Sequence, residues 1–391
     1  MRLILCAAAL AAVPAVVAAA QRGVPEGQNV VVTGTRLQDY RDRLAACLAR
    51  NCPPDEDIDA TTALAEALFV AGEYREARAA LRRSIGRNHD EAARYPEPVS
   101  DLYRANARVA RHLGMDRDAQ LSTRRILRSL QAGLSVEDHR HFTARLEMAQ
   151  SMLAFGQYGP ARRQLEELAE QARRAGRPDI AATAELRALW VGYVEDPRGG
   201  AQRRLAALAQ SSDTYRSIGA RMLMVRIYNE RGERARANAL MAELGRGSRR
   251  RQLLYNPPFE LLVRNPLSNA DDVQQGGSLH DSTLARRPGN MEDEWIDLGF
   301  WIQPDGSVTG LEVIRGDGAR DWAEPLLESI RGRRYSRAAG NEPSYRVERY
   351  SYTSGYETRG GTHIMQRSPR ARIEYFDLTE DSAPAGNAPT G

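Results

Sequence analysis

The sequence predicts two architectures in one chain, an α-helical-hairpin solenoid followed by a small α+β domain built on an antiparallel sheet. Three observations predict it. A glycine with an alanine five residues later recurs at even spacing through the first part of the chain. The apolar period then switches from that of a helix to strict alternation at Glu294. Between them, residues 246–293 form a polar stretch rich in Gly, Ser, Asn and Asp, with Arg249-Arg250-Arg251 and Pro257-Pro258 near its start, which reads as a linker.

The recurrence is carried by Gly72-Glu73-Tyr74-Arg75-Glu76-Ala77, Gly114-Met115-Asp116-Arg117-Asp118-Ala119 and Gly156-Gln157-Tyr158-Gly159-Pro160-Ala161, with glycines 42 residues apart. A further copy, Gly232 to Ala237, follows 76 residues after Gly156 and leaves room for one degenerate hairpin between Ala181 and Ala209. About five hairpins therefore fill 37–245. Each glycine permits the left-handed turn that ends one helix, and the alanine lets the next helix approach closely. Ala65, Ala107, Ala149 and Val225 stand seven residues before the glycines, where they face the partner helix, and Leu81 and Leu165 follow Ala77 and Ala161 on the same face.

This pattern resembles the tetratricopeptide repeat, in which a glycine, an aromatic and an alanine mark the turn and second helix. Tyr74 and Tyr158 match the aromatic, whereas Asp116 and Arg234 do not. The large aromatic of the first helix is met by Tyr103 and replaced by Thr61, Arg145 and Arg221. The 42-residue interval also exceeds the roughly 34 of that family. The resemblance implies an array that binds proteins.

From Glu294, Ile296, Leu298, Phe300 and Ile302 alternate with Trp295, Asp297, Gly299 and Trp301, giving a strand with one continuous apolar face. Pro304-Asp305-Gly306-Ser307 supplies a turn, and Val308 to Arg315 return as a second strand. Asp321 with Glu324 predicts a capped helix, Pro325 is tolerated in its first turn, and Gly332 stops it after Arg331. Tyr345 to Tyr352 read as a third strand, with Ile364 and Ala371 to Leu378 as further strand-like material, and 379–391 as a disordered tail.

Phe300-Trp301-Ile302, Asp305-Gly306, the run Val308 to Arg315, Trp322 with Leu326-Leu327 and Ile330, and Arg334-Tyr335 make residues 294–378 resemble the C-terminal domain of TonB. That resemblance implies a periplasmic domain binding an extended segment of outer-membrane receptors as an added strand, which requires an exposed sheet edge. Tyr345, Val347 and Tyr350 are the candidate peptide-binding edge. Asn29 to Arg36 resembles the segment after the signal peptide of TonB-dependent receptors, within an extended N-terminal stretch 21–36.

At 391 residues, with 42% hydrophobic and 27% charged, the chain has enough material for substantial cores. Met1-Arg2, the apolar run Leu3 to Ala20 and its small-residue end read as a cleaved signal peptide, residues 1–20, and so predict export to the periplasm. An inner-membrane anchor through the same run, giving a TonB-like energy transducer, is the alternative reading. In an oxidising compartment Cys47 and Cys52 are a candidate disulfide, because Asn51 to Pro54 end the helix and let Cys52 fold back; two thiols packed in a core remain open.

All 55 basic residues are arginine and the formal net charge is +4, so no lysine exists to hold nucleotide phosphates or form a Schiff base. His139 and His141 lack zinc-ligand spacing, and no catalytic, dinucleotide or phosphate-loop motif occurs. The expectation is therefore a non-enzymatic adaptor without cofactor or metal. Its partners are envelope proteins, such as TonB-dependent receptors or their transducer, and not nucleic acid or a small-molecule substrate. An envelope enzyme with an unrecognised site is the remaining alternative.

Overall fold

The computed structural model describes residues 36–244, 253–255, 294–317, 322–336, 342–358, 363 and 365–381. The signal-peptide reading, nearly all of the extended N-terminal stretch, most of the linker, Asp321, Ile364 and the tail from 382 lie outside the described residues.

Helix α1 (Leu37–Ala49) packs on α2 (Pro54–Ala71), which pairs with α3 (Tyr74–Asn88). After a short 3-10 turn, α4 (Pro96–His112) pairs with α5 (Asp116–Gly133), α6 (His139–Ala154) with α7 (Tyr158–Arg174), α8 (Pro178–Glu195) with α9 (Ala201–Leu208), and α10 (Thr214–Glu230) with α11 (Arg234–Glu243). The four recurring glycines take positive φ, 85° at Gly72, 69° at Gly114, 70° at Gly156 and 73° at Gly232. At each, the next residue's N–H reaches back across the turn, as from Glu73 to Leu68 O and from Met115 to Ala110 O, both 2.8 Å. Those bonds satisfy carbonyls that a helix end otherwise leaves open.

The paired small residues are buried as their spacing requires, with Ala77, Ala119, Ala161 and Ala237 on one side and Ala65, Ala107, Ala149 and Val225 on the other. The fourth turn, 196–200, is centred 42 residues after Gly156 and 34 before Gly232, the last interval shortened because α9 has only 8 residues. Gly176 repeats the signature with Ala181, yet marks the turn between α7 and α8, where one hairpin passes to the next.

In the second part, β2 (Glu294–Ile302), β3 (Val308–Asp317), β5 (Ser344–Thr358) and β6 (Met365–Asp377) form an antiparallel sheet in the order β3-β2-β5-β6. Two shorter strands, β1 (Leu253–Tyr255) and β4 (Arg334–Tyr335), pair with each other, so the stretch read as a linker contains a structured element. Helix α12 (Ala323–Arg331) covers one sheet face. Ile296, Leu298, Phe300, Ile302, Tyr350, Tyr352 and Ile373 there pack with Trp322, Leu326 and Ile330, as the alternation predicts. Beneath them Arg333 and Glu348 form a buried ion pair at 2.7 Å, and Tyr350 OH joins both. After β6, the single-turn α13 (Leu378–Asp381) occupies the start of the predicted tail.

Candidate functional site

The opposite sheet face, which alternation alone assigns to solvent, is buried along much of its length against the first two hairpins. Trp295 belongs to the same apolar core as Phe69, Tyr74 and Leu113. A Cβ on Gly72 would fall 2.4 Å from the Trp295 ring, and one on Gly114 would fall 1.9 Å from Ser354 O. The same atom on Gly156 or Gly232 would meet nothing within 4 Å. Glycine is thus needed at the first two turns for the approach of the sheet as well as for φ.

Arginines of the sheet close the helix ends. Arg349, fully buried, donates from Nε to Asp297 Oδ1 at 2.5 Å and from Nη2 to Asp297 Oδ2 at 2.8 Å. Its guanidinium also donates to Phe69 O and, at 2.8 Å, to Val70 O at the end of α2. It lies 3.9 Å from the Trp295 ring centre, so the charge is met by a carboxylate, two carbonyls and a π face together. At the second turn Arg367 donates to Leu113 O at 3.0 Å, and Arg372 reaches Asp116 Oδ2 at 3.0 Å and Arg111 O at 3.4 Å. The negative end of a helix favours such cations.

Between the two turns, Ser351 Oγ lies 2.9 Å from Tyr74 OH and 2.8 Å from His112 Nδ1. Burial pushes the His112 pKa down to about 3, against the pull of Glu374. Burial alone would raise Glu374, but Arg111, Arg372 and His112 bring it down to about 2. A serine beside a histidine is one element of nucleophilic catalysis, yet both side chains are fully buried and this imidazole stays neutral far below physiological pH. The cluster ties Tyr74 and His112 of the helices to Ser351 of the sheet.

The candidate edge requires a correction. Tyr345, Val347 and Tyr350 lie on β5, an inner strand, where they pair with Trp301, Gly299 and Ile296 of β2. On the other side Tyr350 pairs with Tyr375 of β6, and the Val347 N–H donates to Thr379 Oγ1 at 2.9 Å. Tyr350 is 0% exposed. The sequence shows a run of β-formers but not how many neighbours they have; β6, whose pairing begins at Glu348, is the second neighbour of Tyr350, whereas Tyr345 and Val347 lie before that pairing starts. The outer strands are β3 and β6. The pairing of β3 with β2 is broken by two register shifts, with Gly310 at φ 61°, and that of β6 with β5 by one at Ser354 to Tyr356. This leaves Ala371–Asp377 as a continuous outer stretch.

Cys47 and Cys52 are joined as a disulfide, with Cα atoms 5.2 Å apart. His139 and His141 stand in the first turn of α6, His139 near Asp138 and His141 buried. An open depression of about 370 Å³ between α6 and α7 is lined by Arg145, Met148, Pro160, Arg163, Gln164 and Glu167. Among the described residues no helix is long and apolar enough to cross a membrane. Sequence reading missed Asp297, Arg349, Arg367, Arg372, Glu374 and His112; the usable signal was a lone Asp on a strand face flanked by Trp295 and Trp301.

No protein-family model and no curated protein matches the chain. Among solved structures it is similar to BtubC (BKLC) from P. vanneervenii, at 16% identity over 54% of this chain and 90% of that one, with a TM-score of 0.40. It is also similar to a protein described as a kinesin light chain with nearly identical TPR-like repeats from Podosopora anserina, at 17% identity over 49% of this chain and 94% of that one, with a TM-score of 0.36. A point variant of the latter gives 17% identity, 49% and 93% coverage, and a TM-score of 0.36.

Proposed function

We propose that the protein is an exported, non-enzymatic interaction adaptor of the cell envelope. Its helical array holds a β-domain in place, and that domain takes an extended segment of a partner as an added strand. The observation that carries the reading is the seam itself. The array already grips β-structure at two successive turns through arginines directed at helix-end carbonyls, which is a mode of holding protein and not of transforming a small molecule. The outer stretch Ala371–Asp377 of β6 has no strand on its far side among the described residues, so its backbone groups suit strand addition. The Cys47–Cys52 bridge and the N-terminal residues 1–20 support export, and the resemblance to the TonB C-terminal domain supports TonB-dependent receptors as the partner class.

Hydrogen exchange on the full chain tests the strand-addition claim, with a synthetic extended peptide of the sequence of residues 29–36 as the probe. Slowed exchange confined to 371–377 is the expected result; slowing elsewhere, or none at saturating peptide, removes the claim. Cell fractionation with N-terminal sequencing tests export, with a soluble mature chain starting at Gln21 expected.

A further inference from the structure

The disulfide lies beside a third donor. The Sγ atoms of Cys47 and Cys52 and a carboxylate oxygen of Glu56 all fall within 4.8 Å of one another. We propose that the reduced form of this turn is a binding site for a thiophilic divalent cation, with zinc as the fitting ion. Two thiolates and one carboxylate match the tetrahedral preference of zinc and leave its fourth position to water. They suit magnesium or calcium poorly, since those ions favour all-oxygen shells.

The turn is held by more than its sulfur bond. Arg50 N–H and Cys52 N–H both donate to Cys47 O, at 3.2 and 3.1 Å, and Asn51 N–H donates to Leu48 O at 3.1 Å. Asn51 takes the left-handed conformation, φ 52°, that brings the chain back, and Pro53 and Pro54 then direct it into α2. On either side, Leu44 and Ile58 anchor α1 and α2 in the core. Opening the disulfide therefore leaves the two thiols facing each other, and they part from bonding distance to the roughly 3.8 Å that two thiolates on one tetrahedral zinc require.

Charge and access favour the ion. Cys52 precedes the N-terminus of the 18-residue α2, where the helix dipole stabilises a thiolate. Asp55 and Glu56 in the first turn add negative charge that a divalent cation offsets, whereas Asp57 is already met by Arg87. Cys52 is half-buried and Glu56 exposed, so the donors are reachable although Cys47 is buried. Glu56 is now paired with Arg50, which is itself exposed and can turn to solvent as the carboxylate turns to the metal.

The chemistry balances in two steps. A phosphine reductant gives two electrons to the disulfide and is oxidised to its oxide with oxygen from water, and the sulfurs take up two protons. Zinc then binds the two sulfurs and displaces those protons.

The experiment uses the full chain carrying Cys6→Ser, so that Cys47 and Cys52 are its two thiols, reduced with a water-soluble phosphine and titrated with Cd²⁺, whose bond to thiolate absorbs in the ultraviolet, and then with Zn²⁺ while released protons are followed with an indicator dye. The expected result is saturation near one equivalent, about two protons released per ion, no band from the oxidised chain, and at least about tenfold weaker binding by Glu56→Gln. Three results would overturn the proposal: no band after reduction, equal affinity in Glu56→Gln, or loss of helical circular dichroism on reduction alone. The last would show that the sulfur bond, and not the backbone turn, holds the thiols together.

Discussion

Replacing Arg349 with methionine removes the charge at the centre of the seam while keeping much of the side-chain stem that packs beside Trp295. Breaking a buried ion pair by removing one partner costs about 3–5 kcal/mol, because the remaining charge is left in a poor solvent. Here Asp297, fully buried, keeps a second partner in Arg315, whose side chain is 43% exposed and so compensates only in part. Phe69 O retains the Gly72 N–H at 3.0 Å, whereas Val70 O loses the Arg349 bond. The net expectation is a loss of about 3 kcal/mol in the stability of the docked sheet, at the low end of that range.

Urea denaturation followed by tryptophan fluorescence reads this directly, since Trp295 is at the seam. Combining Arg349→Met with Asp297→Leu should cost at least about 1.5 kcal/mol less than the two single changes added together, because no buried charge is then left alone. A loss below about 1 kcal/mol for Arg349→Met, or strict additivity of the pair, would refute the claim that the buried pair governs docking.

Gly114→Ala should destabilise the chain by at least about 2 kcal/mol more than Gly156→Ala, measured by the same denaturation. Both strain a left-handed residue, about 1–2 kcal/mol, but only the first drives a Cβ into Ser354 O. Acid should loosen the seam in two stages, since His112 and Glu374 both have lowered folded pKa values. The stability due to neutral His112 is complete above about pH 6.5 and falls as pH drops toward 3; that due to ionised Glu374 is complete above about 4.5 and falls toward 2. Each group contributes about 1.4 kcal/mol per pH unit within its window, and urea midpoints of His112→Gln should be nearly flat between about 6.5 and 4.5 where the unaltered chain declines. Glu348→Leu should cost about 3–5 kcal/mol by leaving Arg333 buried without its carboxylate, checked by thermal unfolding of the full chain.

The hairpins were legible because a local rule produces them. A glycine that must turn left and an alanine that must admit a neighbouring helix are visible in any short window, and their spacing gave the array, including the place of the degenerate fourth hairpin. The apolar face of β2 was legible for the same reason. The seam was not, because it joins Arg349 to Phe69 and Val70 and Arg372 to Asp116 across long stretches of chain, and each arginine alone reads as ordinary solvated charge. The assignment of an edge at Tyr350 failed on a different ground: propensity identifies a strand, but its rank in the sheet depends on β6, which pairs with β5 from Glu348 onward and whose register no single-strand pattern encodes.

The repeats are therefore not exchangeable units, although their turns share one backbone conformation. Transplanting the fifth hairpin into the first position would preserve its glycine turn while placing Arg234 where Tyr74 now faces Arg349, so two guanidinium groups would meet in a site that excludes water. The first two hairpins therefore cannot be exchanged for later ones, and because β1, the partner of β4, lies against α10, the fifth hairpin is tied to β-structure as well; an engineered chain that ignores this order would keep its helices but shed its β-domain.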